Sequence, residues 1–202
     1  VCVLDLSGPA RADDDAAVLD PAESARAARF VRDEDRARFL RRRVAARHLL
    51  ARELGCPPAE LRFGHGPHGK PCVRAPRTDL QLSASASGPL ALLALARRPV
   101  GVDVEHVRPG LASLGAAAFF LTPAELARWA ALPAEPQVEA FFAAWTHKEA
   151  VAKARGLGLP ASRPTEHAVG EVDGVVAFEP APGYVAALAV LGHPRSAGCG
   201  GA

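Results

Sequence analysis

Methionine is absent from this 202-residue chain, and lysine supplies only three of its 24 basic residues: Lys70, Lys148 and Lys153. With Ala, Arg, Gly and Pro used so heavily, the shortage of lysine reads as codon bias. The lysines that survive are therefore informative. An ammonium is a compact charge that can tune its pKa and release a proton, whereas a guanidinium cannot. Neither sign of charge is in excess: 23% charged residues and a net charge of +2 exclude the strongly basic balance of a nucleic-acid binder. Long apolar runs are missing too. The longest, "PLALLALA" at Pro89–Ala96, is far too short to cross a bilayer, so no membrane partner is expected. The first residues, "VCVLDLSGPARADDD", have neither the basic start nor the apolar stretch of a signal peptide. Cys2, Cys56, Cys72 and Cys199 form no C-x-x-C and no Cys/His pair at zinc spacing. Four reduced thiols in a cytoplasmic protein are expected.

What is present is an ordinary globular content, 49% apolar, enough for a core. Val1–Leu6 alternates like a strand and Ala10–Asp20 reads as polar loop. Asp33–Leu54 has helical spacing, with Asp33 as N-cap, Arg47 on the apolar stripe and Gly55 as stop. Phe63–Pro71 is a glycine- and proline-rich turn region before a strand at Cys72–Arg74. Strands follow at Asp79–Ser83, Leu90–Ala96 and Val100–Glu105, then helices at Leu111–Phe120, Pro123–Ala131 and Pro136–Arg155. Asp173-Gly174 signals a two-residue hairpin, and a last strand starts at Tyr184. The tail from His193 is expected to fray. Strands and helices mixed without strict alternation predict an α+β fold. The break at "RRP", residues 97–99, is the one candidate boundary, dividing 1–97 from 98–202.

The chemistry gathers in two places. In "GVDVE", Asp103 and Glu105 lie two apart on a strand and share one face, while Val102 and Val104 point the other way into the core. Such a pair suits an exposed strand face, or a divalent cation held by hard oxygen ligands. On the last long helix, Val138, Phe141, Phe142, Trp145, Glu149 and Ala152 fall on one stripe. Glu149 thus continues an aromatic face and needs a partner or a shifted pKa. Lys153, one turn on, offers a plain helix salt bridge. A third carboxylate beside the D-x-E strand favours a Mg²⁺ site open to substrate phosphates.

"GVDVE" followed by "WTHKEAVAK" resembles the signature of the Sfp-type 4′-phosphopantetheinyl transferases, G-[IV]-D-[IV]-E and then W-x-x-K-E-x-x-x-K. "LDPAESARAARFVRDEDRARF", "GKP" at Gly69–Pro71 and "LQLSAS" at Leu80–Ser85 stand where that family has its N-terminal stretch, its G-K-P and its [FL]-N-L-S-H-S. The resemblance runs from about Leu19 to Leu191 in order and spacing. It implies a monomer of two similar α/β halves related by a pseudo-twofold, with coenzyme A in the cleft between them. It further implies Mg²⁺ on the CoA pyrophosphate held by Asp103, Glu105 and Glu149. Lys70, Ser83, Arg26 and Arg38 would contact CoA phosphate, and Lys148 and Lys153 would line the pyrophosphate.

The implied reaction moves the phosphopantetheine arm from CoA to a serine of an acyl or peptidyl carrier protein and leaves 3′,5′-ADP. Carriers of fatty-acid, polyketide or peptide synthases all qualify. Glu149 is the candidate base and Lys153 the group that protonates or neutralises the leaving phosphate. Carriers of this kind are acidic and helical. Seven arginines between Arg36 and Arg52 offer them a basic face, most of it expected to be solvated. Phe119 and Leu121 are a candidate docking ridge or simply core. One position departs from the family: Ala84 stands in place of the histidine of L-S-H-S. That raises the alternative of a relic that binds CoA or a carrier with little transfer. His65 or His68 could compensate, and His106 and His147 flank the acidic motifs.

Overall fold

The protein is described here by a computed structural model covering residues 1–7, 16–157 and 168–192. The fold is α+β. Its strands are β1 (Cys2–Asp5), β2 (Arg62–His65), β3 (Pro71–Ala75), β4 (Gln81–Ser87), β5 (Leu90–Ala96), β6 (Val100–His106), β7 (Val175–Phe178) and β8 (Tyr184–Val190). Its helices are α1 (Pro21–Ala27), α2 (Asp33–Leu54), α3 (Leu114–Phe120), α4 (Pro123–Ala130) and α5 (Ala134–Arg155). Three antiparallel sheets result, ordered β1-β5-β4, β2-β3 and β6-β8-β7. The tail from His193 and most of the polar stretch 10–20 lie outside the described residues.

Local chemistry starts and stops these elements. Asp20 caps α1 in a reciprocal box with Glu23, whose carboxylate returns to the Asp20 N–H at 3.0 Å. The long helix α2 begins at Asp33 with Arg32, not Asp33, as its cap residue, and three acidic residues in its first turn suit the helix dipole. Gly55 ends it in the left-handed region at φ 66°. Arg47, on the apolar stripe of α2, has no exposure at all. Its guanidinium donates to Glu23 Oε2 at 2.8 Å, Asp20 Oδ2 at 3.1 Å and the carbonyls of Pro58 and Leu61. A buried charge tolerates this only because every donor finds an acceptor. Arg41 is buried as well and donates to the Leu6 carbonyl at 2.7 Å, so the arginine-rich helix is partly structural rather than a solvated face.

The central core sits between β5 and β6. Leu90, Leu92 and Ala94 pack on Val100, Val102, Val104 and Ala186, so the two valines of "GVDVE" point inward as the alternation predicts. On the other face of β6, helix α5 comes very close. A Cβ on Gly101 would lie 1.9 Å from the Ala150 carbonyl oxygen and 2.4 Å from the Ala154 nitrogen. Only glycine lets the helix backbone rest directly on the strand here. That contact brings Glu149 and Lys153 over Asp103.

Several expectations need correction. Asp173-Gly174 is not a hairpin between flanking strands: Gly174 turns at φ 79° just before β7, and β7 pairs instead with β8. The turn accepts a hydrogen bond from the Val190 N–H at 2.8 Å, which ties it to the far end of β8. Strand β4 does not stop at Ser83 but runs to Ser87, and β2 occupies the start of the region read as turn. Cys2 and Cys56 are free, whereas Cys72 is disulfide-bonded, so the expectation of four reduced thiols fails.

Candidate active site

Strand alternation turns Asp103 toward α5, and the helix supplies Glu149 and, one turn later, Lys153. The Lys153 ammonium bonds Asp103 Oδ1 at 2.6 Å, the Ser85 hydroxyl at 3.0 Å and the Val102 carbonyl at 3.3 Å. It does not pair with Glu149, so the i,i+4 helix bridge allowed by the sequence is replaced by a bridge from helix to strand. Glu149 is buried and makes no hydrogen bond or ion pair among the described residues. Burial, followed by the charge of Asp103 and then that of Glu105, pushes its carboxyl up to about 7 despite Lys153. Burial likewise raises Glu105, against a hydrogen bond from Ser87. Asp103 Oδ2 is buried with no partner.

This is an unbalanced cluster: three carboxylates act on one another, with one ammonium directly among them. Its hard oxygen donors and the orphaned Oδ2 fit a divalent cation. The carboxylates do not close a cage by themselves, and among the described residues no three His, Cys, Asp or Glu side chains stand ready to hold an ion. Mg²⁺ rarely needs such a cage, since it takes one or two carboxylates and fills the rest of its shell with water and substrate phosphates.

Comparison with known proteins reaches residues 9–172 of the chain. Residues 9–98 match the model of the 4′-phosphopantetheinyl transferase N-terminal family, and residues 99–172 match that of the 4′-phosphopantetheinyl transferase superfamily. The chain belongs to the 4′-phosphopantetheinyl transferase family. Among its relatives is the 4′-phosphopantetheinyl transferase HetI of Nostoc, 37% identical over 147 residues, 71% of this chain and 62% of HetI. The transferase Sfp of Bacillus subtilis is 29% identical over 141 residues, 70% of this chain and 62% of Sfp. AcpT of Salmonella typhi is 40% identical over 116 residues, 56% of this chain and 57% of AcpT. The match thus spans less than two thirds of each relative's length.

Set against the phosphopantetheinyl transferase signature, the motif residues divide. Asp103, Glu105, Glu149 and Lys153 come together; Lys148 does not. Its side chain is essentially unexposed, and its ammonium is committed to Glu125 Oε2 at 2.7 Å and the Phe120 carbonyl at 2.6 Å. The helix turns successive residues about 100° apart, so Lys148 points into the α3–α4 side while Glu149 faces β6. A structural tie takes the place of the expected pyrophosphate contact. Lys70 crosses instead from the β2–β3 region to donate to the carbonyls of Val100 and Ala154, both at 3.1 Å, and burial pulls its ammonium down to about 8.

Arg26 is exposed over the Phe39 ring at 5.5 Å and lines a hollow of about 680 Å³ with Arg29 and Phe30, away from the carboxylates. Arg38 is paired with Glu34 and Asp35 on its own helix. The Ser83 hydroxyl accepts the Val102 N–H at 3.0 Å. Ala84 is half-buried on the opposite face of β4, and His65 and His68 are both exposed. Leu121 is core, whereas Phe119 is 54% exposed. Ser85 and Ser87 were not singled out from the sequence, although serine at every second position from Ser83 was the signal to find them.

Proposed function

We propose that this chain transfers the 4′-phosphopantetheine arm from coenzyme A to a serine hydroxyl of an acyl or peptidyl carrier protein, releasing 3′,5′-ADP. The observation that carries the reading is the buried, unpaired Glu149 with its carboxyl near pH 7, set beside Asp103 and Lys153. A carboxyl poised there can accept the serine proton at neutral pH, where an ordinary glutamate is too weak a base. Asp103, Glu105 and Glu149 would hold Mg²⁺, which when bound supplies charge neutralisation to the CoA pyrophosphate. Lys153 keeps a fixed positive charge at the site. Its three N–H groups are already engaged, so a phosphate oxygen would displace the longest bond, to Val102.

The reading divides the chain at 97/98 into two halves related by a pseudo-twofold, with the cleft for CoA between them. It is supported by the two family matches, which adjoin at residues 98 and 99. Arg26, Arg38, Lys70 and Ser83 would serve the phosphates of CoA from the first half, with Arg38 and Lys70 leaving their present partners. The protein would act as a cytoplasmic monomer. No helix among the described residues is long and apolar enough to cross a membrane. The test is direct: incubate the chain with CoA, Mg²⁺ and an apo carrier domain, and look by intact mass for the added arm. CoA binding without transfer to any of several carriers would favour the second reading, a binding relic, which Ala84 motivates.

Two substitutions sharpen this. Lys153→Arg keeps the charge, but the planar fork replaces a point charge that sits between Ser85, Val102 and Asp103. Transfer should fall at least about tenfold, roughly 1.4 kcal/mol of transition-state stabilisation. If arginine serves equally well in a kcat/KM comparison, the lysine has no special role. Ala84→His would restore the ring found in the family motif. A charge-assisted bond to phosphate contributes about 1.5–3 kcal/mol, so CoA affinity should rise roughly ten- to a hundredfold, and more below about pH 6.5. Calorimetric titration of CoA and dephospho-CoA into both proteins checks it. An unchanged affinity would rule out a missing phosphate contact at residue 84.

A further inference from the structure

We propose that Ser85 and Ser87 are positioning residues that set which oxygens of Asp103 and Glu105 face a bound cation. The inference rests on the reading of those carboxylates as metal ligands. Strand β4 buries Ser83, Ser85 and Ser87 on one face, where apolar residues would be the ordinary choice. All three hydroxyls are spent on β6, in step along the strand. Ser83 accepts the Val102 N–H at 3.0 Å. Ser85 donates to Asp103 Oδ1 at 2.7 Å, and Ser87 donates to Glu105 Oε2 at 2.9 Å while accepting the His106 N–H at 3.0 Å.

The consequence for Asp103 is specific. Its Oδ1 receives both Ser85 and Lys153, and Oδ2 is left buried and bare. A carboxylate whose one oxygen is held twice cannot rotate to offer the other differently, so Oδ2 is the only oxygen it can present. Ser85 also accepts from the Lys153 ammonium at 3.0 Å. One hydroxyl therefore fixes the acid and the cation of the site together. Ser87 holds Oε2 of Glu105 by a single bond, anchored in turn by the His106 N–H. The first part of the chain thereby orients the carboxylates that the second part carries. Partners of this kind, one bond removed from a metal, typically change its affinity ten- to a hundredfold.

The experiment titrates Mn²⁺ into the full chain, with and without CoA, and reads bound ion by electron paramagnetic resonance. Wild type, Ser85→Ala, Ser87→Ala, Asp103→Asn and the Ser85→Ala/Asp103→Asn pair are compared, each after a thermal melt. Ser85→Ala and Ser87→Ala should each weaken Mn²⁺ at least about tenfold, and Ser85→Ala should add little to Asp103→Asn, because it acts through that carboxylate. If Asp103→Asn weakens the ion while both serine variants bind it like wild type, the positioning role is overturned and the metal reading stands. If Asp103→Asn itself has no effect, the metal reading falls and this inference with it. Should Ser85→Ala fail to fold, Ser87→Ala decides alone.

Discussion

Glu149→Gln is expected to abolish transfer and, in metal-free protein above pH 7, to raise stability. The first effect follows from removing the candidate base together with a negative charge of the cation site; general acid–base catalysis alone accounts for about 10²–10⁴-fold. The second follows from linkage. The carboxyl titrates near 7 in the folded protein against an ordinary value of 4.5. Between those values the unfolded chain is ionised while the folded one keeps its proton. Stability therefore falls as pH rises through that window and levels off above it. Glutamine fits the same place and escapes this loss, on the order of 1–3 kcal/mol at pH 8 and almost nothing at pH 4. Urea melts of both proteins at pH 4 and pH 8, with transfer followed by intact mass, check both claims. Activity within a few-fold of wild type would remove Glu149 from its role. A stability difference that ignores pH would mean its carboxyl is not perturbed.

Lys148→Met should be the most destabilising single change at the motif, by about 3–5 kcal/mol. The ammonium lies in the interior against Glu125 and the Phe120 carbonyl, and its loss leaves the Glu125 charge without its counter-ion and the carbonyl without that donor. Burial alone would raise the Glu125 carboxyl. The hydrogen bond from Lys148, the N–H groups of Val169 and Thr122 and the lysine charge together hold it down to about 2. Its folded value lies below the unfolded one, so its contribution is present above pH 4.5 and is lost as pH falls toward 2. In Lys148→Met much of that acid-side dependence should vanish. Glu125→Gln added to Lys148→Met should recover part of the loss, because a neutral side chain needs no counter-charge. Thermal melts across pH 2 to 7 and the double-mutant cycle measure this. A Lys148→Met protein that melts like wild type but has lost CoA affinity would return the ammonium to the substrate site.

The acidic site was legible because it depends on short-range periodicity. Two-residue spacing puts Asp103 and Glu105 on one side of β6, and helical spacing carries the aromatic stripe of α5 into Glu149. Arg47 shows how far such patterns reach. Its position on the α2 stripe was readable, but the acids that make its burial tolerable come from a different helix, α1.

Sequence alone determined the α+β class, the inward valines of "GVDVE", the glutamate that ends an aromatic face and the ordered motifs that mark the family. These are properties of neighbours along the chain. Which acid Lys153 meets, why Lys148 turns away from Asp103 and Glu149, and what the serines of β4 bond were decided only by tertiary structure. Each depends on the approach of α5 to β6 over Gly101 or of β4 to β6 beside it. A hydrogen bond across two elements needs its donor–acceptor distance held to within about a few tenths of an ångström, and that distance is set by packing between segments that the sequence leaves far apart.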